Sequence, residues 1–163
     1  MNFTAEQVAA GFEADARAAA ARHDRVRAQT EELVANIATL RAFICSSQLS
    51  AMGECLRTEE REFFREKIRE LAQQVTTMPK TYQQDGKGDQ AIVHLHYFKG
   101  SADWYITERD MERAQLQAFG LADLFGDGGE LGYINIVELI RNGVELDMYF
   151  TPCTLEAIRK ERA

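Results

Sequence analysis

The sequence predicts an α+β chain in two parts, and three observations predict it. Residues 1–80 carry a heptad ladder followed by a second amphipathic run, the pattern of a long coiled-coil helical hairpin. Residues 81–90 are polar and hold two glycines, the pattern of a linker. Residues 91–163 alternate β-rich runs with turn residues, the pattern of a small, mostly antiparallel sheet domain with one or two helices. With 163 residues and 45% apolar side chains, the chain can bury a core of its own.

The first helix is read from Ala9, Phe12, Ala16, Ala19, His23, Val26, Thr30, Leu33, Ile37, Leu40 and Ile44, an unbroken alternation of three- and four-residue steps. Thr4 and Gln7 have capping-box spacing, and Phe3 stands where a hydrophobic staple would close over the first turn. The helix is expected from near Ala5 to about Phe43, interrupted only by Gly11, at a cost of about 1 kcal/mol relative to Ala. Some forty residues at ~1.5 Å each make a rod of roughly 60 Å. Ser46-Ser47-Gln48-Leu49-Ser50 reads as the turn, with a short helical piece through Met52. Thr58 is the expected cap of the second helix, whose apolar face is Phe64, Ile68, Leu71, Val75 and Met78 and which Pro79 ends.

The second helix is only half as long as the first. Folded back, it covers the stretch from about Val26 to Ile44 and leaves the Ala-rich front unpaired. Phe12, Ala16, Ala19, His23 and Val26 are therefore the expected interface with a second copy, with His23 and Thr30 as polar residues that fix register.

Beyond the linker, Ala91–Phe98 alternates Ile92, His94, His96 and Phe98 with Val93, Leu95 and Tyr97, and the second set is expected to face the core. Lys99–Asp103 turns into a strand over Trp104–Thr107. Further strands are expected over Ala118–Leu124 and Glu145–Phe150, with an extended piece over Tyr133–Ile136. Short helices are expected over Val137–Arg141 and Leu155–Arg162.

The net charge is −7 and uneven: residues 1–79 hold 12 acids and 10 bases, residues 80–163 hold 14 acids and 9 bases. An acidic second half disfavours attraction to phosphate, so direct DNA binding and membrane binding are not expected. Arg17, Arg22, Arg25 and Arg27 form a local basic cluster, but Asp24, Glu31 and Glu32 lie among them. The start has neither basic leader nor apolar run, and no window is long enough for a membrane span. Cys45, Cys55 and Cys153 are an odd count without metal-site spacing, as expected of structural thiols in a reducing cytoplasm.

Candidate chemistry is sparse. His94 and His96 lie two apart on a strand and are the best metal candidates, yet zinc needs three or four ligands, and Cys153, Asp103 and Glu108 show no motif spacing. Glu108 with Asp110, or Asp127 with Glu130, has the composition of an acid–base pair; a solvated acidic turn accounts for either. Gly126-Asp127-Gly128-Gly129 lacks the lysine and spacing of a phosphate loop. No Ser or Cys sits in a nucleophile elbow.

Trp104-Tyr105-Ile106-Thr107-Glu108, Phe119-Gly120-Leu121-Ala122-Asp123-Leu124, Glu130-Leu131-Gly132-Tyr133 and Asp147-Met148-Tyr149-Phe150-Thr151-Pro152 together resemble a small domain family of plasmid and phage proteins whose activity is unassigned. The likeness spans roughly Ile92 to Pro152. The run Leu40–Met78 is similar to a helical hairpin common in phage-encoded proteins. Where the family has a Gly-Phe-Pro-like connection, this chain has Phe125-Gly126-Asp127-Gly128-Gly129. The resemblance implies a bacterial mobile element and gives no residue a catalytic role.

The expectation is a non-enzymatic, cytoplasmic interaction protein that needs no cofactor. It pairs as a homodimer through its N-terminal helix and meets a host or element-encoded protein through an acidic module. Trp104, Tyr105, Asp127, Glu130 and Tyr133 are the candidate partner-binding residues. Inhibition of a bacterial defence system, of anti-CRISPR or anti-restriction type, by protein binding or DNA mimicry is one version of this role. The alternative is a metal-dependent hydrolase using His94 and His96.

Overall fold

The computed structural model describes residues 4–162. The class is as expected, α+β: one long helix, then a small antiparallel sheet domain with further helices. By internal contacts the chain divides into a unit ending at Ala35 and a unit beginning at Asn36.

Helix α1 (Ala5–Leu40) is opened by the expected capping box: Gln7 N–H donates to Thr4 Oγ1 at 3.2 Å and Thr4 N–H donates to Gln7 Oε1 at 2.9 Å. The staple expected of Phe3 lies outside the described residues. Phe12 is 72% exposed and Val26 61% exposed. Leu40, in the last turn, is buried.

The second unit starts with that last turn. Phe43, Ile44 and Cys45 are buried but not helical, so α1 ends short of the expected Phe43. The hairpin turn expected at Ser46–Ser50 is a helix, α2 (Ser46–Cys55). A distant strand stabilises it: Gln48 Nε2 donates to Leu146 O at 2.6 Å, and Leu146 N–H donates to Gln48 Oε1 at 3.0 Å. Thr58 shapes the following turn, accepting from Glu60 N–H at 3.2 Å and donating to Cys55 O at 2.8 Å. Helix α3 (Arg61–Thr77) begins beyond it and buries Ile68, Leu71 and Val75, the expected apolar face.

Most of residues 81–90 are exposed, and two of them are tied into the sheet domain. Thr81 and Gln84 are buried, and Gln84 acts as a piece of strand: its amide donates to Ile92 O at 2.8 Å and Thr107 O at 2.9 Å and accepts from Ile92 N–H at 2.8 Å. A polar side chain that satisfies backbone groups in this way is welcome in a core, so low apolar content alone does not mark a residue as solvated. A 3₁₀ turn over Gly88–Gln90 completes the segment.

The main sheet has strands β2 (Leu95–Lys99), β3 (Ala102–Glu108), β4 (Ala118–Asp123), β5 (Glu130–Ile134) and β6 (Glu145–Leu146), in the order β5-β4-β3-β2-β6, all antiparallel. The strand expected over Ala91–Phe98 is broken at His94. Its first piece, β1 (Ile92–Val93), pairs instead with β7 (Cys153–Thr154) in a separate ribbon. The strand expected over Glu145–Phe150 keeps only its first two residues as β6. Helix α4 (Ile136–Arg141) is capped by Asn135, whose Oδ1 accepts Glu138 N–H at 3.0 Å.

Val93, Leu95 and Tyr97 are buried, the set expected to face the core. The Tyr97 hydroxyl donates to Phe43 O at 2.7 Å from within that core. The opposite face is also covered. Helix α5 (Leu155–Arg162) places Leu155 and Ile158 in one cluster with Tyr105 and Leu121 and with Ala91 and Val93, so that Val93, before the break at His94, is buried under α5 and not with Leu95 and Tyr97. Gly120 lets β3 and β4 approach closely: a β-carbon there would lie 2.1 Å from Tyr105 O.

Candidate functional site

Two polar groupings lie on the face of the sheet that α5 partly covers. The first is a charged network. His96 on β2 stacks on Tyr105 of β3, its register partner, and its ring nitrogens meet Asp103 Oδ1 at 2.8 Å and Asp147 Oδ2 at 3.3 Å. Arg162 on α5 reaches Asp103 Oδ2 at 2.5 Å, the Tyr105 hydroxyl at 2.8 Å and Asp123 Oδ2 at 2.9 Å.

Asp123 is fully buried at the end of β4. Burial works against its charge, but the backbone N–H groups of Gly126, Asp127 and Gly128 and the Arg162 guanidinium outweigh it, holding the carboxyl below its ordinary range. Gly126 N–H donates to Asp123 Oδ1 at 2.7 Å. The glycine loop is therefore an anion nest filled by the chain's own carboxylate. Gly129 closes it at φ 67°, where a β-carbon would meet Ala122 O at 2.6 Å. A cleft of about 390 Å³ lies alongside, lined by Gly126, Asp127, Gly128, Arg159 and Arg162 among others. Its two arginines are engaged in ion pairs, Arg159 with Asp89 at 3.3 Å and Arg162 with the two aspartates.

The second grouping lies at the β5 side. The hydroxyls of Tyr82 and Tyr133 are 2.6 Å apart, Phe119 stands edge-on to Tyr133, and buried Glu108 accepts the backbone N–H of Gln84. The hydrogen bond from Tyr82 is the main cause of a raised Tyr133 phenol pKa; burial and the negative charges of Asp85 and Glu108 add to it. Nothing in the sequence marks Tyr82, which reaches this place through a positive φ of 76°.

The histidine pair expected to share a metal is separated in role. His94 sits at the break between β1 and β2; burial, and then the charge of Lys87, lower its pKa. Both nitrogens of His96 face aspartates. Among the described residues no three His, Cys, Asp or Glu side chains converge to hold a metal ion.

Asp110 is a loop clasp rather than an acid–base partner of Glu108. It accepts N–H groups from Glu112 at 3.0 Å, Leu116 at 2.9 Å and Gln117 at 3.0 Å. Burial opposes its charge, and these donors prevail and lower its pKa.

The candidate partner-binding residues differ in exposure. Tyr105 is buried in the His96 stack, and Trp104, half-buried, points to the other face beside α4. Tyr133 remains exposed, as do Asp127 and Glu130. On α1, Phe12, Ala16, Ala19, His23 and Val26 are all exposed. Arg17 pairs with Glu13 at 3.4 Å and Arg27 with Glu31 at 2.8 Å along the same helix. The three cysteines are free thiols. Among the described residues no helix is long and apolar enough to cross a membrane.

Fold and groupings define a small α+β domain whose polar residues mostly brace loops and strands. The chain belongs to the DUF2958 family, whose description is "protein of unknown function", and residues 63–155 match it. The match starts inside α3 and ends at the first residue of α5, so α1 and α2 lie outside it. Neither the curated proteins nor the solved structures gave a match.

Proposed function

We propose that this is a non-enzymatic interaction protein whose N-terminal helix pairs with a second copy and whose C-terminal domain meets a protein partner. The observation that carries this reading is the exposed seam of α1: Phe12 at 72% and Val26 at 61% stand on a heptad ladder with small Ala16 and Ala19 between them. A repeat of this length with alanines at its centre suits close approach of an identical helix, and each large side chain covered gains about 1.5 to 3 kcal/mol. The excess of acids beyond residue 80 favours a basic protein surface as the second contact. The sequence resemblance supports a setting on a bacterial phage or plasmid, with the host cytoplasm as the place of action. Inhibition of a defence system, by protein binding or by mimicry of DNA, fits that setting. The hydrolase alternative has less support, because His94 and His96 have separate surroundings.

Light scattering tests the first step. The intact chain is expected to be a dimer, and Ala16→Glu with Ala19→Glu to yield a monomer of unchanged helical content. A double variant that stays dimeric overturns this placement of the interface. Capture from a bacterial lysate treated with nuclease tests the second step. One stoichiometric protein retained after nuclease supports a protein target, and loss of all partners with the nucleic acid overturns it.

A further inference from the structure

The Tyr82–Tyr133 pair stands beside a small cavity that the self-association reading leaves unused. Tyr82 adopts a φ of 76°, a region that residues with a β-carbon rarely enter and that persists where the surroundings enforce it. The result is a hydroxyl contact between two side chains that stay 54% and 57% exposed. The cavity, about 110 Å³, is lined by Asp85, Thr107, Glu108, Phe119 and Leu131 among others. That is room for roughly three or four waters at ~30 Å³ each, enough for a side-chain head group and too little for a nucleotide.

Glu108 is 3% exposed. The backbone N–H of Gln84 binds its Oε1, and among the described residues no other donor or cation reaches the carboxylate. A buried carboxylate without a cation is costly, and a cation entering the cavity removes that cost. Asp85 adds a second negative charge and Phe119 an aromatic ring to the cavity lining, and Tyr133, edge-on to Phe119 and hydrogen-bonded to Tyr82, extends the aromatic surface next to it. Aromatic rings combined with a carboxylate recognise alkylammonium and guanidinium groups through cation–π attraction and charge-assisted hydrogen bonds.

We propose that Glu108, Asp85, Tyr82, Tyr133 and Phe119 form a binding site for a single alkylammonium or guanidinium group. Such a group is carried by a Lys or Arg side chain of a protein partner or by a free small amine. The site lies wholly within the second unit, and pairing of α1 does not enter into it.

The test is calorimetric titration of the intact chain at low salt with Nα-acetyl-arginine amide, Nα-acetyl-lysine amide, methylguanidine and butylamine, with Nα-acetyl-norleucine amide as the uncharged control. Saturable binding of at least one cation, with none for the control, is expected. Glu108→Gln should weaken it at least tenfold, since the amide oxygen still accepts the Gln84 N–H while the charge is gone. Should that variant fail to fold by circular dichroism, Tyr133→Leu at the exposed rim carries the same expectation of weakened binding. Tighter binding of the blocked amino acids assigns the site to a protein partner; tighter binding of the free amines assigns it to a small ligand. No heat of binding up to about 50 mM at low salt, or equal binding by the variants or by the norleucine control, overturns the site. A chain that is dimeric and binds no cation overturns this inference alone; a monomeric chain that binds one leaves it standing.

Discussion

His96 and Tyr105 stack face to face across neighbouring strands, with ring centroids 4.6 Å apart and planes 6° from parallel. The stack places His96 between Asp103 and Asp147, so one ring joins β2, β3 and the segment after β6. His96→Phe keeps the stack and leaves both carboxylates without that partner. Hydrogen bonds to charged groups are worth about 1.5–3 kcal/mol each, less where water can substitute. A loss of about 1–3 kcal/mol is therefore expected, measured by urea unfolding. A midpoint equal to that of the parent chain would show that the polar contacts contribute nothing beyond packing.

Gly120 and Gly132 are register partners on adjacent strands, and their environments are opposite. A β-carbon at Gly120 would lie 2.1 Å from Tyr105 O and 2.9 Å from Ile106 Cα, whereas one at Gly132 meets nothing within 4 Å. Backbone atoms cannot step aside as a flexible side chain does. Gly120→Ala is expected to destabilise by about 3 kcal/mol or more, in the range of strain and overpacking at special backbone positions, and Gly132→Ala to stay within about 1 kcal/mol of the parent. Thermal unfolding of the two variants side by side checks the contrast.

Periodicity makes α1, α3 and the alternation of the first sheet strands legible in the sequence, but not α2. Alternation alone marks Val93, Leu95 and Tyr97 as buried, and helical spacing marks Ile68, Leu71 and Val75, because burial imposes those periods directly. What stayed hidden depends on partners distant in sequence. Gln48 meets Leu146, Gln84 meets Thr107, and Tyr82 meets Tyr133, at separations no local pattern encodes. The same cause concealed the candidate site. Glu108 reads as one more acid in an acidic stretch until the fold buries it, and His96 reads as half of a metal pair until two aspartates flank it.

Asp110 gives the fold a defined acid sensitivity. Its carboxylate gathers three backbone N–H groups in the loop between β3 and β4, and its folded-state pKa lies below the ordinary value. A depressed carboxylate stabilises the fold above its unfolded pKa of about 4, and that contribution is lost as the pH falls through the folded value. Asp110→Asn removes the term. The variant is expected to be less stable than the parent at pH 7 by about 1–3 kcal/mol, with the gap narrowing as the pH is lowered below about 4. Denaturant midpoints between pH 7 and pH 3 give the comparison, and a gap independent of pH would mean that the charge is not what holds the loop.

Gln48 and Leu146 are 98 residues apart and exchange two hydrogen bonds, the side-chain amide standing in for a neighbouring strand. Gln48→Ala leaves the Leu146 N–H and carbonyl without these partners, at a cost of about 1–2 kcal/mol. Gln48→Glu preserves the acceptor for the N–H but turns a second carboxylate oxygen towards the Leu146 carbonyl, so it is expected to cost at least as much as the alanine. The specific readout is hydrogen exchange at the Leu146 amide. Protection there should fall in the alanine variant while that of Ile106, deep in the central strand, is kept. If both amides lose protection equally, Gln48 supports the whole domain rather than the junction of α2 with β6.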